Sequence, residues 1–315
     1  MYEKWKGVHT RCAFNMIQEL IPLTRPRTLA AALGPTILGA AFSYYAFGAA
    51  QGTGLAILHT VLIFLAVVTA QIVANLWNEY KDFKSGLDAG QKVGNAGSIT
   101  RGVITPELII TMIKVLMFVP ITIGLYLSTT ITWYYIPVGF LCILISFLYS
   151  GGPKPISRTP FGEISSGIAM GFAIVLITGY AWIRELSLAL LIPAISSTLL
   201  VGSIMLTNNI RDIRNDESHG RHTLPIVLGR ERALSLMSIS YIFNFIWIIA
   251  WIIVGHMTWF ALLAFLAAPL AFKTIHTLST NTDEFQLDKA MGTTAGAAMI
   301  YQLMWAIGLI MGKLF

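Results

Sequence analysis

Apolar residues along this chain occur as long runs rather than as a surface-helix stripe. Leu55 to Leu76 carries no charge, and five charges then fall between Glu79 and Asp88. A helix needs about 20 mainly apolar residues to cross a bilayer. Nine stretches meet that length: 28–47, 55–78, 107–127, 131–149, 162–183, 187–208, 233–254, 257–278 and 291–312. The pattern predicts an all-α, polytopic membrane fold. Residues 28–315 read as one transmembrane domain, preceded by an N-terminal segment, 1–27. Phe14, Ile17 and Ile21 share one helical face of that segment, which predicts a stretch lying along the membrane surface.

Composition agrees. Of 315 residues 56% are hydrophobic and 11% charged, against about a quarter charged in soluble domains, and the mean hydropathy is +0.71. Basic residues give the orientation. Lys81, Lys84, Lys154, Arg158, Arg211, Arg214, Arg221, Lys273 and Lys289 fall with the N-terminus on one side, while the other side holds Arg184 and Lys313. The positive-inside rule then puts the N-terminus in the cytoplasm and, with nine spans, the C-terminus outside. No cleavable signal peptide is expected, because 1–27 lacks a compact apolar core. The net charge of +6 is spread over loops bordering spans, which points to anionic lipid or an anionic substrate and not to nucleic acid. Cys12 and Cys142 suggest neither a disulfide nor a metal site.

The chemistry gathers on the basic side. Asn78 and Asp82 are four apart and lie on one helical face. Asp88 follows Gly86, a residue suited to ending a helix in the left-handed conformation and turning the chain back. About 130 positions later Asn208, Asp212 and Asp216 step by four along one stripe. Packed carboxylates repel unless protonated or bridged by a cation, so the two runs together call for metal.

Other motifs border the same side. The glycine-spaced loop Gln91–Gly102 has the length of a lid and carries Arg101, a guanidinium suited to phosphate. Tyr149-Ser-Gly-Gly-Pro-Lys154-Pro155 is a rigid irregular turn placing Tyr149 and Lys154 toward the aspartates. Arg221, just past Gly220, is placed to meet an anion already bridged by metal. Arg25, beside Pro26, reads either as an interfacial anchor or as an anion contact. His219 and His222 read as solvated loop residues.

Two acidic patches can each hold magnesium, which is normally bound by one or two carboxylates together with substrate phosphates. A hydrophobic molecule carrying a diphosphate, such as an isoprenyl diphosphate, would place its head there and its tail among the helices. Charge developing on the leaving diphosphate would be stabilised, and an electron-rich aromatic could trap the allylic carbon.

Asn78-x3-Asp82-x5-Asp88 and Asp212-x3-Asp216 resemble the paired motifs of the UbiA superfamily of membrane prenyltransferases. Within it, Asn75 to Asp88, Tyr149 to Pro155 and Asn208-Asn-Ile-Arg-Asp212 are similar to the 1,4-dihydroxy-2-naphthoate polyprenyltransferases of menaquinone synthesis. The resemblance implies nine transmembrane helices around a central cavity, capped by loops on the cytoplasmic side of the plasma membrane. It implies Mg2+-dependent transfer from a polyprenyl diphosphate to 1,4-dihydroxy-2-naphthoate with loss of carboxylate. Asn78, Asp82, Asp88, Asn208, Asp212 and Asp216 would then serve metal and catalysis, Arg25, Arg101, Lys154 and Arg221 the diphosphate, and Tyr149 and Lys154 the acceptor. Gly86 stands where many branches have an aspartate, and Asp88 takes its place. A different acceptor such as 4-hydroxybenzoate is the alternative within this chemistry, and an ion transporter the alternative outside it. Transporters place ion sites near the midplane, whereas these acids lie at helix ends.

Overall fold

The computed structural model describes residues 20–87 and 97–315. Asp88, Cys12, Phe14 and Ile17 lie outside the described residues, as does the first half of the glycine-spaced loop, 91–96. The helices are α1 (Ala30–Phe47), α2 (Thr53–Ser85), α3 (Pro106–Thr130), α4 (Tyr135–Ser150), α5 (Gly162–Ile183), α6 (Leu191–Ser218), α7 (Arg230–Ile253), α8 (Trp259–Thr280) and α9 (Glu284–Leu314). Eight helical segments among the described residues are long and apolar enough to cross a membrane. The ninth, α4, has 16 residues and is about 24 Å long. That falls short of a hydrocarbon core of about 30 Å, a mismatch a bilayer absorbs by local thinning.

Three helices outrun their apolar stretches. At 33, 28 and 31 residues, α2, α6 and α9 reach about 50, 42 and 47 Å. The extra turns are the charged ones: Glu79 to Lys84 on α2, Arg211 to Glu217 on α6, and Glu284 to Lys289 on α9. The sequence pattern predicts spans closing at 78 and 208 and opening at 291. The helices continue through the polar runs because i,i+4 spacing and backbone pairing carry on past the last apolar residue.

Burial separates inner from outer helices. The apolar stretch of α6 is 56% buried, and that of α3 is 11% buried, so α6 is central and α3 faces lipid on most sides. Close packing of the inner helices relies on small residues, as expected where apolar burial gives no preference for protein over lipid. A Cβ at Gly39 of α1 would lie 3.0 Å from the Val175 carbonyl oxygen of α5. One at Gly171 would lie 2.6 Å from the Ser197 backbone of α6. Gly171 belongs to a π-helical turn, Gly167–Phe172, which widens α5 where it meets α6. Side-chain bonds add to this packing: Ser197 donates to Gln302 Oε1 at 2.9 Å, and the hydroxyls of Thr207 and Thr294 are 3.0 Å apart.

Candidate active site

The end of α2 supplies the first acidic run. Gly86 closes the helix with φ 75°, one turn past Asp82. Asn78 faces Ser150 at the end of α4 and Arg25 at the start of the chain's described part. With its amide NH2 toward Ser150 Oγ at 2.9 Å, its oxygen accepts from both Arg25 Nη atoms at 3.1 Å. Arg25 is held in an unusual backbone state, φ 50°, which a residue before proline rarely adopts. Its surroundings fix it there: Asn75 Nδ2 donates to the Thr24 carbonyl at 2.9 Å, and Thr28 Oγ1 donates to the Arg25 carbonyl at 2.8 Å.

The end of α6 supplies the second run. After Ser218 the chain turns at Gly220, φ 67°, and the Arg221 N–H donates back to the Asp216 carbonyl at 3.0 Å. The turn folds Arg221 over its own helix. Its Nη2 donates to Asp82 Oδ1 at 2.9 Å and its Nη1 lies 3.3 Å from Asp216 Oδ1. One guanidinium therefore joins the two acidic runs.

A second arginine organises the far side. Arg211 donates to Asp212 through Nε and Nη2, both at 2.7 Å, to Asn208 Oδ1 at 2.9 Å, and to Asp288 Oδ1 at 2.8 Å. Asp288, on the charged first turns of α9, also accepts from Arg27 at 2.7 Å.

These groups line a pocket of about 80 Å³ whose charged lining is Arg25, Arg27, Arg211 and Arg221 against Asp82, Asp212, Asp216 and Asp288. Four of each sign make it formally neutral. A cation or an anion arriving alone would upset that balance, and a cation–anion pair would not. Arg25, Thr28, Asn78, Asn208, Arg221 and Met291 also line a larger cavity of about 290 Å³, which continues among the helices past Ala70, Val67 and Ile63 of α2, Leu127 of α3 and Val138 of α4. From Asn78 to Ile63 is 15 positions, about 22 Å along α2. The site thus has a charged head and a long apolar body.

Asn78, Asp82, Asn208, Asp212, Asp216, Arg25 and Arg221 all meet at the head, and Tyr149 lines the body. Arg101 and Lys154 do not join them. Both are exposed and line neither cavity. Arg101 donates to the Oγ of the buried Ser98 at 3.3 Å. Sequence reasoning missed Asp288, which carries no motif of its own, and Asn75, whose amide holds the Thr24 carbonyl. It also missed Glu79, 1% exposed, whose Oε1 accepts from the Gly97 and Ser98 N–H groups at 2.9 Å and anchors the loop where it resumes.

The head's donor set is carboxylate and amide oxygen, the kind a hard divalent cation takes. Asp216 is 2% exposed and its Oδ2 has no partner among the described residues, a costly state unless something else binds it. Among the described residues no three His, Cys, Asp or Glu side chains form a ready-made cage. The arrangement suits an ion shared with a ligand's own oxygens.

Comparisons with known proteins place the sequence and the fold. The sequence model of the UbiA prenyltransferase family matches residues 32–307. The chain is 33% identical to 1,4-dihydroxy-2-naphthoate octaprenyltransferase of Bacillus subtilis (strain 168), over 94% of this chain and 93% of that protein. It is 29% identical to the Mycobacterium tuberculosis protein of the same name, over 92% and 96%. Among solved structures, a UbiA homolog from Aeropyrum pernix K1 superposes with a TM-score of 0.68 at 18% identity, over 90% of this chain and 97% of that one. One from Archaeoglobus fulgidus bound to GPP and Mg2+ superposes with a TM-score of 0.61 at 16% identity, over 90% and 98%.

Proposed function

Because the chain belongs to the UbiA prenyltransferase family, we propose that its charged head holds a polyprenyl diphosphate and its apolar body holds the tail while an aromatic acid is prenylated. The enzyme transfers a polyprenyl group to 1,4-dihydroxy-2-naphthoate with loss of the carboxylate as CO2 and release of diphosphate. No oxidant enters this balance, so the direct product is the quinol form of demethylmenaquinone. The observation that carries the reading is the convergence of Asp82 and Asp216 on Arg221 at the mouth of an apolar cavity.

Each part of the site has a task. Arg25 and Arg221 are the cations lining both the head and the body; they hold the diphosphate where its bond to the prenyl carbon crosses from one to the other. The oxygens of Asn78, Asp82, Asn208, Asp212 and Asp216 would hold magnesium. When bound, the metal neutralises the diphosphate and makes it a better leaving group. Ile63, Val67, Ala70 and Leu127 enclose the tail and exclude water, which would otherwise capture the electrophilic carbon. Tyr149, on the wall beside this junction, is placed to meet the aromatic ring. The excess of Lys and Arg at this end supports a cytoplasmic site in a plasma-membrane protein whose C-terminus lies outside.

The test is incubation of the purified protein in lipid nanodiscs with magnesium, a labelled polyprenyl diphosphate and a panel of aromatic acids. Labelled prenyl naphthoquinol and one equivalent of CO2 are expected from 1,4-dihydroxy-2-naphthoate. Turnover confined to 4-hydroxybenzoate would overturn the acceptor assignment, and no turnover with any acid would overturn the reaction.

A further inference from the structure

Beneath the charged head, a buried polar pair remains that neither diphosphate nor metal uses. Glu163 opens α5 and is 4% exposed. Its Oε1 accepts from Asn209 Nδ2 on α6 at 2.8 Å, and among the described residues its Oε2 has no partner. Asn209 is itself 4% exposed, and among the described residues its Oδ1 accepts no hydrogen bond.

Position gives the pair meaning. Asp212 lines the charged head alone, Asn208 lines both head and body, and Asn209 lines the body alone. Asn209 precedes Asp212 by three positions, about 4.5 Å deeper along α6. The prenyl carbon under attack is bonded to a diphosphate oxygen, so it lies just below the head, at this level. The attacking ring must lie beside it. Tyr149 of α4 and Ser165 of α5 line the same body, and a Cβ on Gly162, next to Glu163, would be 3.5 Å from the Tyr149 hydroxyl.

A tie between two membrane helices would also bury a Glu–Asn pair. A tie alone does not account for Glu163 Oε2, buried and without a partner among the described residues, which is destabilising, nor for an Asn209 that opens onto the body of the cavity. An Asn amide that has committed an N–H to a carboxylate cannot turn over without breaking that bond. Its carbonyl oxygen is then fixed as an acceptor, and a dihydroxynaphthoate offers ring O–H donors.

We propose that Asn209 accepts a hydrogen bond from a ring hydroxyl of the aromatic acceptor, and that Glu163 is the positioning residue that fixes the Asn209 amide for it. This rests on the naphthoate reading above and goes beyond it by naming what orients the ring. A site built around a substrate hydroxyl discriminates strongly against the analogue that lacks it, because its own buried acceptor is then left unpaired.

The experiment uses the full chain in nanodiscs with magnesium, varying donor and acceptor separately, with 1-hydroxy-2-naphthoate and 4-hydroxy-2-naphthoate as competing inhibitors. Asn209→Leu is expected to raise the acceptor KM about tenfold or more, to leave the donor KM within about twofold, and to erase the preference for the hydroxyl that the wild type recognises. Glu163→Leu should behave alike. Glu163→Gln should recover near wild-type acceptor KM, because its amide oxygen still accepts the Asn209 N–H. Unchanged acceptor KM and hydroxyl preference in Asn209→Leu, or donor and acceptor KM rising together, would overturn the proposal. If Asn209→Leu does not fold, Asn209→Ser, too short to reach the ring, is decided by the same readouts. A wild type that turns over no dihydroxynaphthoate removes the naphthoate reading and this proposal with it; an active wild type with indifferent variants removes only the proposal.

Discussion

Arg221 donates to Asp82 at 2.9 Å across 139 residues of sequence, and the same guanidinium lies 3.3 Å from Asp216. Without it, two largely buried carboxylates at the ends of α2 and α6 would lose the guanidinium that contacts both. Removing one partner of a buried ion pair costs about 3–5 kcal/mol. Arg221→Ala is therefore expected to lower the thermal midpoint in chelator, to regain part of it with excess magnesium, and to lose prenyl transfer in both conditions. Asp82→Asn added to Arg221→Ala should restore stability without restoring activity. A single variant as stable as wild type in chelator would show that Arg221 does not hold the runs together.

The head's four arginines and four aspartates predict coupled binding. Magnesium should tighten the affinity for inorganic diphosphate, and diphosphate that for magnesium, by the same factor, as linkage requires. Isothermal titration of each ligand with and without the other measures it. Independent affinities would refute a shared, charge-balanced site. EDTA should correspondingly abolish turnover, with activity returning on addition of magnesium.

Asp288 holds Arg211 at 2.8 Å and Arg27 at 2.7 Å. Asp288→Asn leaves a neutral side chain of similar shape and frees both arginines from their shared counter-ion. The donor KM is expected to rise several-fold while the acceptor KM stays near wild type. A change confined to the acceptor would place Asp288 outside the diphosphate's surroundings.

What the sequence made legible depends on how local the signal is. Asn78 and Asp82, and separately Asn208, Asp212 and Asp216, step by four at the ends of charge-free runs, so each run is written in spacing, while their meeting through Arg221 is tertiary. Asp288 stands among the ordinary charged residues that open α9, and only the tertiary fold brings it to Arg211, 77 positions earlier. Arg101 and Lys154 sit in glycine-bearing loops, where composition suggests phosphate contact but cannot say which way a side chain points. Spans were found from apolar length, yet that measure ended α2 at 78 although the helix runs on to Ser85. Asn209 was legible only as part of the Asn208-Asn-Ile-Arg-Asp212 run, with no role of its own, and Glu163, a single polar residue past the proline-rich turn, gave no signal.

Gly171 is read in sequence as one of many small residues, but the structure gives it a definite job. Its missing Cβ allows α5 to touch the Ser197 backbone of α6, where a methyl group would come within 2.6 Å. Gly171→Ala should force the helices apart, with an overpacking cost of about 1–3 kcal/mol. Thermal unfolding in detergent reads the loss. Because α6 carries Asn208, Asp212 and Asp216, turnover should fall as well, and a fully stable, active variant would remove this contact from the account.

The proposed tail site predicts that donor length is limited by the body of the cavity, which runs about 22 Å from Asn78 to Ile63. Ala70 and Val67 line its middle, and Ile63, 2% exposed, lies at its deep end. A bulky side chain at Ala70 would close the channel roughly 12 Å below Asn78, leaving the charged head untouched. Ala70→Phe is expected to keep turnover of a short donor such as geranyl diphosphate while losing most turnover of long polyprenyl donors, and Ile63→Phe should impair only the longest. The measurement is product yield against donor length for the two variants and wild type. Equal losses for short and long donors in Ala70→Phe would mean that the tail does not lie along α2, and the apolar cavity would then have to serve something other than the prenyl chain.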